Sequence, residues 1–497
     1  MEQASRYEHL RKDPDALFSI ISKLESDLER LQVYLLNSNR KTFVAKSERQ
    51  ISSQELLIGF GEKPVTTKEE EVEETLTVPE HKRILKRGRK PLPSNLPVRR
   101  KEHFPEDMTC GQCGEGLVKI GEEVTEELEY IPAHFEVIQH AKIKCACPNC
   151  KVGVSQGKLP VSAQPLAGAR PGVGLLTFIL ISKYVDHLPL NRLEQIFFRQ
   201  GIEIARQRMC DWLAGVSIYL EMLWRLLKQE TLSHNYVQAD ETYIKVHEIE
   251  IPGQLVQGYF WGVHAPPNLA FFEYFDNRSG QAAKDVLSGF TGRVQTDAYA
   301  GYNPVLLPDA VERIACMAHI RRRFIDGNKL APSECDRIVK QISKLYAFEA
   351  KWKELDAAER FIQRQELARP ELEKLFSILT ETSNSLMPRH NLQEHLSYAL
   401  KQKTEMFRYL DDGRYNIDNN PIERQIRPIA LGRKNYLFAG SHEGAKRAAI
   451  FYSLLATCRL NKVNPAAWLT DVLKTMPTLE RSRYPELLPH RWKNPNA

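Results

Sequence analysis

Five short runs of β-branched and aromatic residues constrain the fold most: Tyr236–Val246, Leu255–His264, Leu269–Phe275, Gly292–Thr296 and Arg313–Met317. Pro, Gly and Asn separate them, which is the chemistry of strands joined by turns. Helical periodicity lies on both sides. Residues 170–232 read as helices before the strands, and residues 332–410 and 421–475 read as helices after them, with breaks at Gly432, Gly440 and Asn464-Pro465. Strands set between helices predict a mixed αβ core that carries a helical insertion ahead of its last helices. At 497 residues the chain exceeds what one hydrophobic core supports, so several domains are expected.

Three acidic residues stand in distinctive settings. Asp240 lies in Val237-Gln-Ala-Asp-Glu-Thr-Tyr-Ile-Lys-Val246, Asp297 in Arg293-Val-Gln-Thr-Asp-Ala-Tyr-Ala-Gly-Tyr302, and Glu423 in Asp418-Asn-Asn-Pro-Ile-Glu-Arg-Gln-Ile-Arg427. A carboxylate in an apolar strand is costly unless its charge is compensated. Two from strands and one from a helix can hold a pair of Mg²⁺ (or Mn²⁺) ions for phosphodiester chemistry. Each also has a structural reading: Asp240 ends a strand at the surface, Asp297 caps a turn, and Glu423 completes a capping box with Asn420 as N-cap and Pro421 at N1. Arg424, Arg427, Arg433 and Lys434 follow Glu423, and Arg321 and Arg322 follow Cys316-Met-Ala-His319. Such cations neutralise backbone phosphates. His319 reads either as a group that orients a phosphate or a metal-bound water, or as an ordinary strand-end histidine.

The N-terminal third divides into modules. Leu17, Leu24, Leu28, Leu31 and Leu35 mark an amphipathic helix, long enough for two to three heptads. Residues 69–74 contain five glutamates, and residues 82–101 contain nine Lys or Arg and no acid. Arg87, Arg89 and Lys90, flanked by prolines, suit an extended arm in a DNA minor groove. Cys110-Gly-Gln-Cys113 and Cys147-Pro-Asn-Cys150 supply four thiolates with the spacing of one tetrahedral, structural Zn²⁺. Cys145, His134 and His140 remain alternative ligands, whereas Cys210, Cys316, Cys335 and Cys458 read as buried apolar residues. Leu190–Arg199, Gly201 and Ala205–Val216 form a helix, a break and a helix, with Arg206 and Arg208 early in the second. That pattern fits a helix-turn-helix or any α-hairpin. The polar N-terminus shows no signal peptide and no apolar run reaches the ~20 residues of a membrane span. A cytoplasmic protein, nucleoid-associated when bound to DNA and without a membrane partner, is expected.

In Asp418-x-Asn420-x-x-Glu423-Arg-x-x-Arg427, then Gly432-Arg-Lys-Asn435, Leu437-Phe438 and Gly440-Ser441, the chain resembles DDE transposases of the insertion-sequence family IS-sixty-six. Cys316-x-Ala-His-x-Arg-Arg-x-Phe324 and the Glu486-Leu-Leu-Pro489 to Trp492 segment resemble the same family, while Cys145 stands where that family suggests an aromatic residue. The resemblance implies a multidomain α+β protein with an RNase H-like catalytic core and Asp240, Asp297 and Glu423 as its metal-binding triad. It further implies action on terminal inverted repeats and target DNA, a homodimer or larger assembly on DNA, and accessory proteins encoded by the same element.

The expected layout is a leucine-rich helix at 10–45, which either dimerises or packs on its own protein, an acidic linker and basic arm at 60–101, a zinc module at 102–160 and a helical region at 165–232 that contains the candidate helix-turn-helix. The core follows at 233–330, is interrupted by helices at 331–412, resumes at 413–475 and ends in a tail at 476–497. Two other classes fit parts of the pattern: an RNase H-like nuclease that cuts without joining, and a transposase-derived DNA-binding protein without catalysis.

Overall fold

The computed structural model describes residues 135–140, 144–146, 154–156, 166, 171–248, 253–307, 310–387 and 389–495. The leucine-rich helix, the arm with Arg87, Arg89 and Lys90, and the four cysteines Cys110, Cys113, Cys147 and Cys150 lie outside the described residues. So does His134. From the cysteine-bearing region, β1 (Lys144–Ala146) pairs antiparallel with β2 (Val154–Gln156).

The main sheet contains β3 (Tyr236–His247), β4 (Leu255–Ala265), β5 (Leu269–Phe275), β6 (Gly292–Thr296), β7 (Val311–Ala315) and the short β8 (Phe438–Ala439). Its order is β5-β4-β3-β6-β7, with β8 also on β3. The first three strands form an antiparallel meander, whereas β6, β7 and β8 run parallel to β3 or to each other. The last long strand starts and ends two residues earlier than its sequence pattern suggests. Asp240 lies inside β3 and not at a strand end, because pairing with β4 continues through His247.

Three helices precede the sheet: α1 (Val173–Tyr184), α2 (Leu190–Arg199) and α3 (Arg206–Leu232). Gly201, at φ 81°, makes the turn between α2 and α3, a conformation that favours glycine. The second helix of this hairpin runs 16 residues beyond Val216, to Leu232, because its later turns bury Leu220, Leu223 and Leu227 against the core.

Edge strand β5 would expose unpaired backbone groups. The helix α12 (His442–Leu460) covers it. Ser453 Oγ accepts from Phe272 N at 2.7 Å, Thr457 Oγ1 donates to Ala270 O at 3.0 Å, and Trp224 Nε1 of α3 donates to Phe272 O at 3.0 Å. Every residue from Phe451 to Cys458 is buried, the mark of a helix enclosed on all sides. The next helix, α13 (Pro465–Thr475), holds the C-terminal segment through Trp468 Nε1, which donates to Leu487 O at 2.8 Å.

Helix α4 (Gly280–Val286) precedes β6, and between β7 and the last core helices lie α5 (Met317–Asp326), α6 (Pro332–Lys351), α7 (Ala357–Gln363), α8 (Arg369–Ser385), α9 (Leu392–Leu400) and α10 (Lys403–Phe407). Helices α5, α6, α8, α9 and α10 share a second hydrophobic core, in which Ile338, Ile342, Leu372, Leu379 and Leu396 join Met317, Ile320 and Phe324 of α5. Arg364 fastens this layer to the chain leading back to the sheet. It is 1% exposed, pairs bidentately with Glu349 at 2.9 and 2.8 Å, and donates to the carbonyls of Tyr409, Asp412 and Tyr415. No helix among the described residues is long and apolar enough to cross a membrane.

Candidate active site

The register of the central strands brings Asp240 and Asp297 together. Gln238 and Gln295 are paired across β3 and β6 and lie 57 positions apart in the chain, the same separation as the two aspartates. Each aspartate sits two residues further along: Asp240 stays within β3, on the face that carries Gln238, and Asp297 is the first residue beyond β6. Gln238 Nε2 donates to Gln295 Oε1 at 2.8 Å.

These amides also anchor the segment that delivers Glu423. Gln295 Nε2 donates to Asn416 O at 2.8 Å and Gln238 Nε2 to Asp418 O at 3.0 Å. Asn419 Nδ2 donates to Ala239 O at 3.0 Å, beside Asp240. Asn419 N also donates to the buried Cys316 sulfur at 3.2 Å. Helix α11 (Asn420–Tyr436) therefore begins against the end of the β3–β6 pair. Asn419 is its N-cap without a side-chain cap bond, so the expected capping box of Asn420 and Glu423 does not form. Asn420 Nδ2 instead donates to Asp418 Oδ2 at 2.8 Å.

Gly262 lets this helix approach. It lies opposite Asp240 in the β3–β4 pair. A Cβ there would stand 2.7 Å from Phe272 Cε1 and 3.1 Å from Ile422 Cδ1. Ile422 thus fills space that only a glycine leaves open, and its neighbour Glu423 reaches the acidic face.

The three carboxylates interact electrically. Burial, then the charges of Glu241, Glu423 and Asp297, hold the Asp240 carboxyl well above the usual carboxylate range. Asp240 Oδ1 accepts from the Glu241 amide at 2.9 Å. Asp297 Oδ1 accepts from Tyr299 N at 3.0 Å, so Asp297 does cap its turn as well as face Asp240. Glu423 Oε1 is shielded from solvent and has no hydrogen-bond partner. His319 Nε2 stands 3.8 Å from its Oε1, and the Arg322 guanidinium 3.9 Å from its Oε2. Hard oxygen donors with excess negative charge suit Mg²⁺ or Mn²⁺. Among the described residues, however, no three His, Cys, Asp or Glu side chains are close enough to share one ion.

Glu241, noted in the sequence only as a neighbour of Asp240, has its own role. Its side chain is 3% exposed, accepts from Tyr302 Oη at 2.7 Å and pairs with Arg278. Burial, offset by these two partners, leaves its carboxyl raised. Adjacent acids in one strand must face opposite sides of the sheet, which is the available sequence signal. Arg278 in turn lies 3.8 Å over the Tyr299 ring.

The other cationic residues occupy several places. Arg424, Arg427 and Lys434 are exposed on α11, and Arg206 and Arg208 are exposed at the start of α3. Arg322 is exposed on α5, and Arg321 is half-buried beside it. Arg433 is engaged with β3: it donates to Thr242 Oγ1 and Tyr243 O, both at 2.6 Å, and lies 3.8 Å over the Tyr243 ring. His319 is in the first turn of α5 and not at a strand end. Cys316, Cys335 and Cys458 are buried, and Cys210 is half-buried.

Residues 168–447, more than half of the chain, match the family described as Transposase IS66 family. Residues 107–151 match the zinc-finger binding domain of transposase IS66, and residues 453–490 the IS66 C-terminal element. Residues 30–100 match the domain described as Transposase C of IS166 homeodomain. The chain is a transposase with DNA-binding and zinc-finger domains. It belongs to the IS66 insertion-sequence family. Among its relatives is the uncharacterized protein y4hP of Sinorhizobium fredii, 32% identical over 436 residues, which covers 82% of this chain and 78% of the relative. The uncharacterized protein y4jD of the same organism is 30% identical over 419 residues, 81% of each chain.

Proposed function

We propose that this transposase is a DDE-type enzyme with an RNase H-like core, in which Asp240, Asp297 and Glu423 hold two Mg²⁺ or Mn²⁺ ions. The observation that carries this reading is the Gln238–Gln295 pairing of β3 with β6, which sets Asp240 and Asp297 each two residues beyond a paired glutamine, with the helix bearing Glu423 seated against β3 and β4 through Asn419 and Gly262. An antiparallel meander followed by parallel strands supports the RNase H-like assignment.

Bound divalent ions supply activation of the attacking hydroxyl and stabilisation of the leaving oxygen in an in-line displacement. The protein's part is to gather charge and hold geometry. Asp240 is held by the pairing of β3, Asp297 by its turn just beyond β6, and the segment entering the Glu423 helix by the amides of Gln238, Gln295 and Asn419. Arg322, Arg424 and Arg427 would neutralise the phosphates flanking the scissile bond. The same site would first cleave at the element's ends and then join the freed 3′ hydroxyl to target DNA. The basic arm, a single structural Zn²⁺ on Cys110, Cys113, Cys147 and Cys150, and the α2–α3 hairpin would locate the terminal inverted repeats. At least two copies would act together on paired ends, with accessory proteins of the same element as further partners.

The test uses purified protein with labelled end DNA in Mg²⁺ or Mn²⁺. The reading expects metal-dependent cleavage and joined product from a pre-cleaved end, both lost in Asp240→Asn, Asp297→Asn and Glu423→Gln. Cleavage without joining would leave a nuclease, and cleavage by the three variants would remove the triad.

A further inference from the structure

We propose that His319 contacts the scissile phosphate, donating an imidazole hydrogen bond to a non-bridging oxygen beside Glu423. The proposal rests on the three-carboxylate reading above and adds a residue to it.

The separation of the two side chains is the first observation. His319 Nε2 lies 3.8 Å from Glu423 Oε1, too far for a hydrogen bond between them. The second is that both side chains are incomplete. Glu423 Oε1 and His319 Nδ1 are each shielded from solvent with no hydrogen-bond partner. Buried polar groups of this kind are costly, and structures retain them where another group completes them. His264 is satisfied within the fold, its Nδ1 paired with Leu269 O at 2.8 Å, whereas His187, His395 and His490 share an unpartnered Nδ1 with His319; what sets His319 apart is its place beside Glu423.

The backbone holds His319 in place relative to Glu423. The Cys316 sulfur accepts from Asn419 N at 3.2 Å, and Cys316 is the N-cap residue of α5. One buried atom therefore ties the start of α5 to the start of α11. One helical turn beyond His319, Arg322 reaches to 3.9 Å from Glu423 Oε2 and is half exposed. An imidazole donor, a guanidinium and a carboxylate so arranged match a phosphodiester: a donor for one non-bridging oxygen, charge for the group as a whole, and a metal ligand beside it.

A thermodynamic cycle between the protein atom and the DNA atom tests the contact. Binding is measured with Ca²⁺ in place of Mg²⁺, on end DNA with either a natural phosphate or a neutral methylphosphonate at the scissile linkage. Wild type, His319→Ala and His319→Gln are compared. Wild type should lose more affinity on the methylphosphonate than His319→Ala does, with a coupling on the order of tenfold. His319→Gln keeps an N–H donor and should recover part of that coupling; it also serves if the alanine variant fails to bind ends. Equal losses in wild type and both variants overturn the proposal. That result is separable from failure of the triad, which is read from metal-dependent cleavage by Asp240→Asn.

Discussion

Replacing Asp240 with Asn should stabilise the metal-free protein while removing its response to metal. Adjacent strands lie ~4.8 Å apart, and two like charges about 5 Å apart at an effective dielectric of about 20 repel by about 3 kcal/mol. Asp240 and Asp297 both keep some solvent access, which reduces the term to about 1–2 kcal/mol. In a domain of this size that is a rise in Tm of about 2–6 °C. The sign with pH follows from the raised Asp240 carboxyl, caused by burial and then by Glu241, Glu423 and Asp297. An acid whose folded value lies above its unfolded value disfavours folding at high pH, and the penalty lifts as pH falls through the folded value. The advantage of Asp240→Asn in chelator should therefore be widest at neutral pH and close on acidification. Mg²⁺ at a hundred times its Kd should add about 2.7 kcal/mol to wild type and next to nothing to the variant. Thermal melts in chelator and in Mg²⁺ measure both effects. A variant that melts below wild type in chelator, or that still gains from Mg²⁺, would refute the charge argument.

Other substitutions probe the supports of the site. Gln295→Leu removes the acceptor of the Tyr236 hydroxyl, one of the acceptors of Gln238 Nε2 and the donor to the carbonyls of Ala315 and Asn416, and should cost about 2–4 kcal/mol in chemical denaturation. Gly262→Ala places a Cβ against Phe272 and Ile422; about 1–3 kcal/mol of overpacking is expected, with a larger proportional loss in cleavage than in end binding. Arg364→Met strands the Glu349 carboxylate and should cost about 3–5 kcal/mol in the same denaturation assay. Purified protein should carry about one Zn²⁺ per chain, and its removal by chelation should weaken end binding.

The strand runs and the flanking helices were legible because their apolar periods are local. The separation of Asp240 from Asp297 was visible too, but its meaning was not: only the Gln238–Gln295 pairing shows that this separation is the register offset. The amide network itself has no sequence signature, since Gln238, Gln295 and Asn419 meet across long separations through side chains common in any loop. Local capping rules placed the start of α11 one residue late, because Asn420 turns back to Asp418 and the entering chain is held by the sheet. Two-residue β8 lacks the length for a pattern and forms only because α11 and α12 bring it alongside Lys245 and Val246.

The most direct measurement is anomalous diffraction from crystals of the protein soaked in Mn²⁺. The account predicts manganese peaks bounded by the carboxylates of Asp240, Asp297 and Glu423, lost in the Asp240→Asn protein. Manganese bound elsewhere, with those three side chains unengaged in DNA-bound and DNA-free crystals alike, would contradict it.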